Sequence, residues 1–158
     1  MSTHLDSLMK EFAQFADLPT LEPDVDGGYY LMFDDLVVIV RLAEPIHGGQ
    51  RLEEEVLLHS CVGMLPSANR EQACRRLLDA NILFAKTDGA TLAADEEAGL
   101  VSLQRAIPLR GLAFSEFIKL LESFVHQTEF WAQVCSADLG ESVATSDAGE
   151  NLPLSHRV

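Results

Sequence analysis

Few side chains in this sequence have the type and spacing that catalysis needs. His59 and Cys61 lie two residues apart in a segment, 52–64, that alternates like a β-strand, so their side chains share one face. A histidine beside a cysteine can take up the thiol proton and leave a nucleophilic thiolate. That chemistry also needs a group to orient the histidine, and none lies nearby in the sequence. We therefore interpret the pair as part of a half-buried strand face, with Cys61 as a small apolar residue.

Acidic runs are the next candidates, because carboxylates can hold a divalent cation. Three of them lie at predicted turns or strand ends, namely Asp34-Asp35, Glu53-Glu54-Glu55 and Asp95-Glu96-Glu97. None has the alternating spacing of an EF-hand loop. The sequence also lacks a P-loop, a GxGxxG motif and a GxSxG motif. We expect no catalytic residue, no metal and no cofactor, and hence no enzyme.

The charge of the chain limits its partners. Eleven Lys and Arg stand against 25 Asp and Glu, so the 158-residue chain has a formal net charge of −14. Nucleic acids and anionic membranes bind clustered cations, whereas the main basic group here, Arg70 with Arg75 and Arg76, is small and flanked by acids. We expect neither partner. An acidic surface attracts basic or aggregation-prone polypeptides instead.

The compartment follows from cysteine usage and from the absence of long apolar runs. Cys61, Cys74 and Cys135 are widely spaced and form neither a CxxC pair nor a zinc-binding pattern. The chain begins without an apolar signal stretch and contains no run of 18 apolar residues. We expect a soluble cytoplasmic protein with reduced cysteines.

Apolar periodicity predicts an α+β domain over residues 1–137, followed by an acidic, disordered tail over 138–158. A five-stranded antiparallel twisted sheet and three helices are expected in the order α-β-β-β-α-β-β-α. Helices are predicted over 3–17, 70–80 and 113–134, and strands over 29–33, 36–43, 52–64, 90–95 and 100–106. Thr3 with Asp6 and Asn69 with Gln72 are the predicted N-terminal caps, and Asn81 is expected in a left-handed conformation after the second helix.

The predicted strand 36–43 is apolar on both faces over most of its length. Leu36, Val38, Val40 and Leu42 alternate with Val37, Ile39, Arg41 and Ala43. A sheet covered on one face alternates apolar and polar residues, so the second face needs a cover. Helices of the same chain, a second subunit or a bound peptide would each supply it.

The chain resembles the Tir chaperone family, the class I chaperones of type III secretion, over nearly all of residues 3–134. An amphipathic first helix opens the match, and its further pieces are Phe33-Asp34-Asp35, Gly63-Met64-Leu65-Pro66, Leu77–Asn81, Gly89–Asp95, Val101-Ser102-Leu103, Phe124-Val125 and Trp131. The order and spacing of these pieces carry the resemblance. The run Glu53–Glu55 and the segment after Ala137 depart from the family pattern.

The resemblance implies a homodimer that binds the N-terminal region of a secreted effector in extended form and keeps it soluble until the secretion ATPase removes it. Carried over, effector-binding residues would be Leu5, Leu8, Met9, Phe12, Leu31, Phe33, Val37 and Ile39. The dimer interface would comprise Leu77, Leu78, Ile82, Phe84, Leu92 and Leu103. A regulatory adaptor on the same fold, which sequesters a transcription regulator or an apparatus component, is the alternative function.

Overall fold

The computed structural model describes residues 3–43 and 54–137. Within these ranges five strands form one antiparallel sheet, and three α-helices accompany it in the predicted order. The helices are α1 (His4–Phe15), α2 (Arg70–Ala80) and α3 (Phe114–Ser136). The strands are β1 (Tyr29–Phe33), β2 (Leu36–Leu42), β3 (Glu55–Met64), β4 (Thr91–Asp95) and β5 (Leu100–Pro108), in the sheet order β1-β2-β3-β5-β4. The predicted α+β fold is confirmed, whereas the predicted tail, 138–158, lies outside the described residues.

Helix α1 begins with the predicted cap and is fixed to the sheet by one buried polar contact. The Thr3 hydroxyl accepts from the backbone of Asp6, whose carboxylate accepts in turn from the Thr3 backbone, so the box closes in both directions. The other Asp6 oxygen accepts from the Tyr29 hydroxyl at 2.7 Å. Burial and this bond raise the pKa of Tyr29. The contact joins the first turn of α1 to the start of β1.

Strand periodicity places alternate residues on an inner face, which the helices cover. The inner residues of β1 to β3 include Leu31, Phe33, Val38, Val40 and Leu58, and all of these are buried. They form one core cluster with the buried residues of the three described helices. Ser60 also points inward, and its hydroxyl donates to the Val37 carbonyl at 2.7 Å, which satisfies its hydrogen bonding. The core therefore lies on one side of the sheet.

The ends of α2 differ from the prediction. Asn69 has the left-handed backbone (φ 56°) and makes no side-chain cap bond, so the predicted pair with Gln72 is wrong. Asn81, expected to be left-handed, is right-handed (φ −76°). Its side chain explains the difference, because the amide binds the backbone of the neighbouring strand β4 at Leu92. The left-handed turn comes two residues later, at Leu83 and Phe84.

Helix α3 approaches the sheet most closely at a bulge in β3. The pairing of β3 with β5 shifts register between Cys61 and Gly63. A Cβ atom on Gly63 would lie 2.5 Å from the Cβ of Cys135, far inside van der Waals contact. The last turns of α3 can therefore pack on β3 only because residue 63 has no side chain.

Candidate protein-binding surfaces

The other face of the sheet, which we call the outer face, carries apolar side chains that no described element buries. Tyr30, Met32 and Val37 are exposed there, Met32 to 65% of its surface, while Ile39 and Leu57 are half-buried. The strand register aligns Tyr30, Ile39, His59, Gln104 and Thr91 in one row across the five described strands. Exposed apolar patches of this kind mark interaction sites in soluble proteins.

A tight turn before β1 borders the outer face. One carboxylate oxygen of Asp24 accepts from the backbone of Gly28 at 2.7 Å and of Asp26 at 2.9 Å. The Gly28 bond is the main cause of a lowered pKa for Asp24, and the Tyr30 hydroxyl adds to it. The same hydroxyl–carboxylate bond raises the pKa of Tyr30. The turn therefore fixes Tyr30, which stands at one end of the row across the sheet.

Arg41, His59 and Cys61 lie on the part of the outer face formed by β2 and β3. Burial lowers the pKa of His59, and the positive charge of Arg41 adds to the effect, so the neutral imidazole is favoured. No hydrogen bond joins His59 to Cys61 in the described chain, and the Cys61 thiol contacts the Gly63 carbonyl at 3.6 Å instead. The geometry that would activate this thiol is missing, in agreement with the sequence interpretation.

A second apolar surface, which we call the α2 corner, follows the C-terminal end of α2. It consists of Leu78, Ile82, Leu83 and Phe84, and every one of these side chains is exposed, Leu83 to 88%. Leu83 and Phe84 both have positive φ, 52° and 56°. Large apolar residues rarely adopt this conformation, which costs on the order of 1 kcal/mol each. Strained backbone that displays apolar side chains to solvent is typical of a contact surface.

The two edges of the sheet differ in their hydrogen bonding. At the β4 edge, the Asn81 side chain donates to the Leu92 carbonyl at 2.9 Å and accepts from the Leu92 amide at 2.8 Å. A side chain thus occupies both backbone groups of Leu92, which an added strand would use at the middle of this edge. At the opposite edge, the backbone of Tyr29–Phe33 has partners only in β2 within the described part of the chain. The β1 edge can accept another strand.

The residues predicted to bind an effector fall into two groups. Six side chains are buried in the core of the single chain, namely Leu5, Leu8, Met9, Phe12, Leu31 and Phe33. Val37 and Ile39 lie on the outer face, Val37 exposed and Ile39 half-buried. The effector contact of all eight stays a prediction. For the buried six, it requires that α1 or β1 move and uncover them.

The predicted dimer residues divide in the same way. Leu78, Ile82 and Phe84 are exposed in the α2 corner. Leu77, Leu92 and Leu103 are buried beneath it. The assignment to a dimer interface stays a prediction. The structure does bring the three exposed residues together on one surface.

Sequence reasoning missed the most exposed residues of both surfaces. Tyr30 and Met32 alternate with the buried Tyr29, Leu31 and Phe33, and because all five are apolar, the sequence alone does not say which set points outward. Leu83 was missed although it stands inside the apolar run Ile82–Phe84 directly after Asn81. A run of three large apolar residues at a helix end was the available signal.

Comparison with known proteins identifies the family. Residues 7–132 match the model of the Tir chaperone protein (CesT) family. The chain belongs to this family. The match spans both surfaces described above and all the described secondary structure except the first residues of α1 and the last of α3. Among curated protein sequences, none matches the chain.

Several solved structures of protein complexes are similar to this CesT-family chain. The ExsC–ExsE complex is similar with a TM-score of 0.68 and 24% identity, over 85% of this chain and 96% of that chain. SycH of Yersinia pestis, a type III secretion chaperone in complex with a YscM2 fragment, is similar with a TM-score of 0.58 and 19% identity, over 82% of this chain and 99% of that chain. The ExoU–SpcU heterodimer from the Pseudomonas aeruginosa type III secretion system is similar with a TM-score of 0.59 and 17% identity, over 85% of this chain and 99% of that chain. At these identities the similarity establishes the fold.

The CesT family is a family of chaperones and not of enzymes. Over residues 3–43 and 54–137, no three His, Cys, Asp or Glu side chains are grouped as metal ligands would be. No helix in those ranges is long and apolar enough to cross a membrane. Among the described residues, the outer face, the α2 corner and the β1 edge are the candidate binding features.

Proposed function

We propose that this chain is a cytoplasmic type III secretion chaperone that acts as a homodimer. It binds the N-terminal region of a secreted effector, its client, in extended form and keeps that region soluble and competent for secretion. The secretion ATPase then removes the chaperone. The observation that carries the proposal is the uncovered outer face beside an open sheet edge, on a chain of the CesT family.

The outer face supports binding of an extended chain. A strand presents alternate side chains to one side, about 7 Å apart, and Val37 and Ile39 repeat along β2 with the same spacing. A client strand added at the β1 edge would gain backbone hydrogen bonds, and its side chains would cover Tyr30 and Met32. Ordering a flexible segment is costly, so such binding needs a large contact, on the order of 1,000–3,000 Å². The outer face and the β1 edge together offer a continuous surface for it.

The α2 corner supports a dimer. Its four apolar residues are contiguous in the fold and lie on the far side of the sheet from β1. A symmetric dimer buries the same patch twice, so each buried leucine contributes about 2 kcal/mol per copy and about 4 kcal/mol per dimer. Placing the dimer contact at the β4 side leaves the β1 edges of both copies available to the client.

Client binding is tested by co-expression of the chain with the neighbouring genes, followed by affinity capture and mass determination of the complex. We expect a fragment of several dozen residues to co-purify. Met32→Asp and Val37→Asp should reduce capture at least tenfold, because each places a charge in the apolar contact. Phe130→Asp, at an exposed apolar residue of α3 on the other side of the sheet, is the matched control. Unchanged capture by both outer-face variants would show that the client binds elsewhere.

The dimer is tested with Leu83→Asn. Asparagine tolerates the left-handed backbone better than leucine, so the variant removes the apolar contact without destabilising the single chain. From about 4 kcal/mol per dimer we expect the dissociation constant to rise about 1,000-fold. Light scattering during size exclusion, over a range of concentrations, measures it. A wild-type chain that is monomeric at high micromolar concentration would refute the dimer.

The captured protein also separates the two functional classes. An effector supports the proposal as stated. A transcription regulator or a component of the secretion apparatus in its place would assign the chain to the adaptor class.

A further inference from the structure

We infer that the client segment lying on the outer face carries an acidic residue that pairs with Arg41, flanked on the same side by apolar residues. The inference rests on the proposed function and names the chemistry that selects the client. It depends on one side chain, Arg41, which has no hydrogen bond and no ion pair among the described residues.

Arg41 stands on the outer face among apolar neighbours. It is paired directly with Leu57 on β3, and Ile39 precedes it by two residues on the same face of β2. Its side chain is half-buried. The guanidinium makes no hydrogen bond and no ion pair with any residue of 3–43 or 54–137. An arginine without a partner, in a chain whose formal net charge is −14, is an unusual choice for such a position.

Within residues 3–43 and 54–137, the charged or titratable groups near Arg41 include Asp24, His59 and Glu55. Asp24 lies close enough to be stabilised by the positive charge, but its carboxylate already accepts from Gly28, Asp26 and Tyr30. On β3, burial and the charge of Arg41 lower the pKa of His59 and favour its neutral form, and Glu55 stands two residues before Leu57 on the same face with other interactions. Among the described residues, the nearest acids are thus engaged in other contacts.

A client that covers the outer face removes water from Arg41. A buried cation without a partner is strongly unfavourable, whereas a carboxylate supplies a bidentate, charge-assisted pair. An apolar or basic residue at this point of the client is therefore selected against, and Asp or Glu is selected for. The acidic surroundings of the chain favour basic residues elsewhere in the client, so the rule applies to this one position.

The order of residues along β2 defines the rest of the pattern. Val37, Ile39 and Arg41 alternate on the outer face. A client strand that runs along β2 presents every second side chain to this face. The client pattern is therefore an acidic residue with apolar residues two and four positions away from it, either before or after it according to the direction of the client strand.

The experiment is a selection from a phage-displayed library of random twelve-residue peptides against the purified full-length chain. We expect the recovered peptides to share an Asp or Glu with apolar residues at alternate positions. Their affinity should fall at least tenfold for Arg41→Gln, and replacing the acidic residue with its amide should cause a similar loss. Selection against Arg41→Glu should recover Lys or Arg at that position.

The control is Arg70→Glu, which makes the same charge change at the exposed start of α2, away from the outer face. It should alter affinity less than twofold. If Arg41→Glu fails to fold, Arg41→Gln and the amide peptides decide the question by a double-mutant cycle. Recovered peptides without an acidic residue, no peptide that depends on Arg41, or no coupling in the cycle would each overturn the inference. A natural client captured through Met32 and Val37 but indifferent to Arg41 would overturn it too, while leaving the proposed function intact.

Discussion

Replacing Gly63 with alanine perturbs the close approach of α3 to β3. The added Cβ would stand 2.5 Å from the Cβ of Cys135 and 3.3 Å from its Sγ. Carbon atoms pack at about 3.5–4.0 Å, so α3 or the bulge in β3 must shift by roughly 1 Å. Overpacking of this kind costs about 1–3 kcal/mol. We expect the upper part of that range, since both partners belong to regular elements, and urea unfolding at fixed protein concentration measures it.

The partner and a matched glycine make this prediction specific. Cys135→Gly removes both clashing atoms and leaves the Cα of residue 135 at 3.8 Å, an ordinary contact. In that background Gly63→Ala should cost less than about 1 kcal/mol, a non-additivity typical of residues in direct contact. Gly99→Ala is the control, because Gly99 has positive φ but no atom within 4 Å of an added Cβ. If Gly63→Ala costs no more than Gly99→Ala, or if its cost is the same in both backgrounds, the packing argument is wrong.

Three further perturbations follow from single contacts. Asn81→Ala removes the hydrogen bonds of 2.9 and 2.8 Å to the backbone of Leu92. We expect the free energy of unfolding to fall by about 1–3 kcal/mol and hydrogen exchange at the Leu92 amide to become faster. The pKa of His59 is lowered from 6.5 by burial and then by Arg41, so the unfolded chain binds a proton that the folded chain excludes. The contribution of His59 to the free energy of unfolding is complete above about pH 6.5 and falls as the pH drops. In His59→Gln, the urea midpoint should therefore decrease less than in the wild type between about pH 7 and pH 5. Burial raises the pKa of Cys135 to about 11, whereas Cys61 is exposed. A maleimide at neutral pH should therefore label Cys61 well before Cys135. Equal labelling rates would show that α3 moves away from β3.

Regular elements could be predicted from the sequence because their signals are local. The capping residues Thr3 and Asp6 are three residues apart, and the apolar residues of α1 repeat at helical spacing in the same short segment. The hairpin of β1 and β2 has an unambiguous turn at Asp34-Asp35. The predicted order of helices and strands, and the α+β fold, are confirmed on this basis.

Features that depend on distant contacts could not be predicted. Asparagine is a residue type that often follows the end of a helix in a left-handed conformation. The conformation of Asn81 is decided instead by its side-chain bonds to Leu92, eleven residues later in β4. Which face of β1 points inward depends on packing against distant elements, and the bond between Tyr29 and Asp6, 23 residues apart, is one of these contacts. The effector set proposed from the sequence therefore included the inward residues Leu31 and Phe33 rather than the outward Tyr30 and Met32.

The unequal edges of the sheet also limit how large an assembly can become. A sheet with two accepting edges can add copies of itself without end, and fibrils grow in this way. Here Asn81 occupies the Leu92 backbone at the β4 edge, so strand pairing continues more readily from β1. Pairing of two β1 edges would join two molecules and leave only the partly occupied β4 edges facing outward. The unequal edges therefore favour a closed pair of molecules over an open polymer.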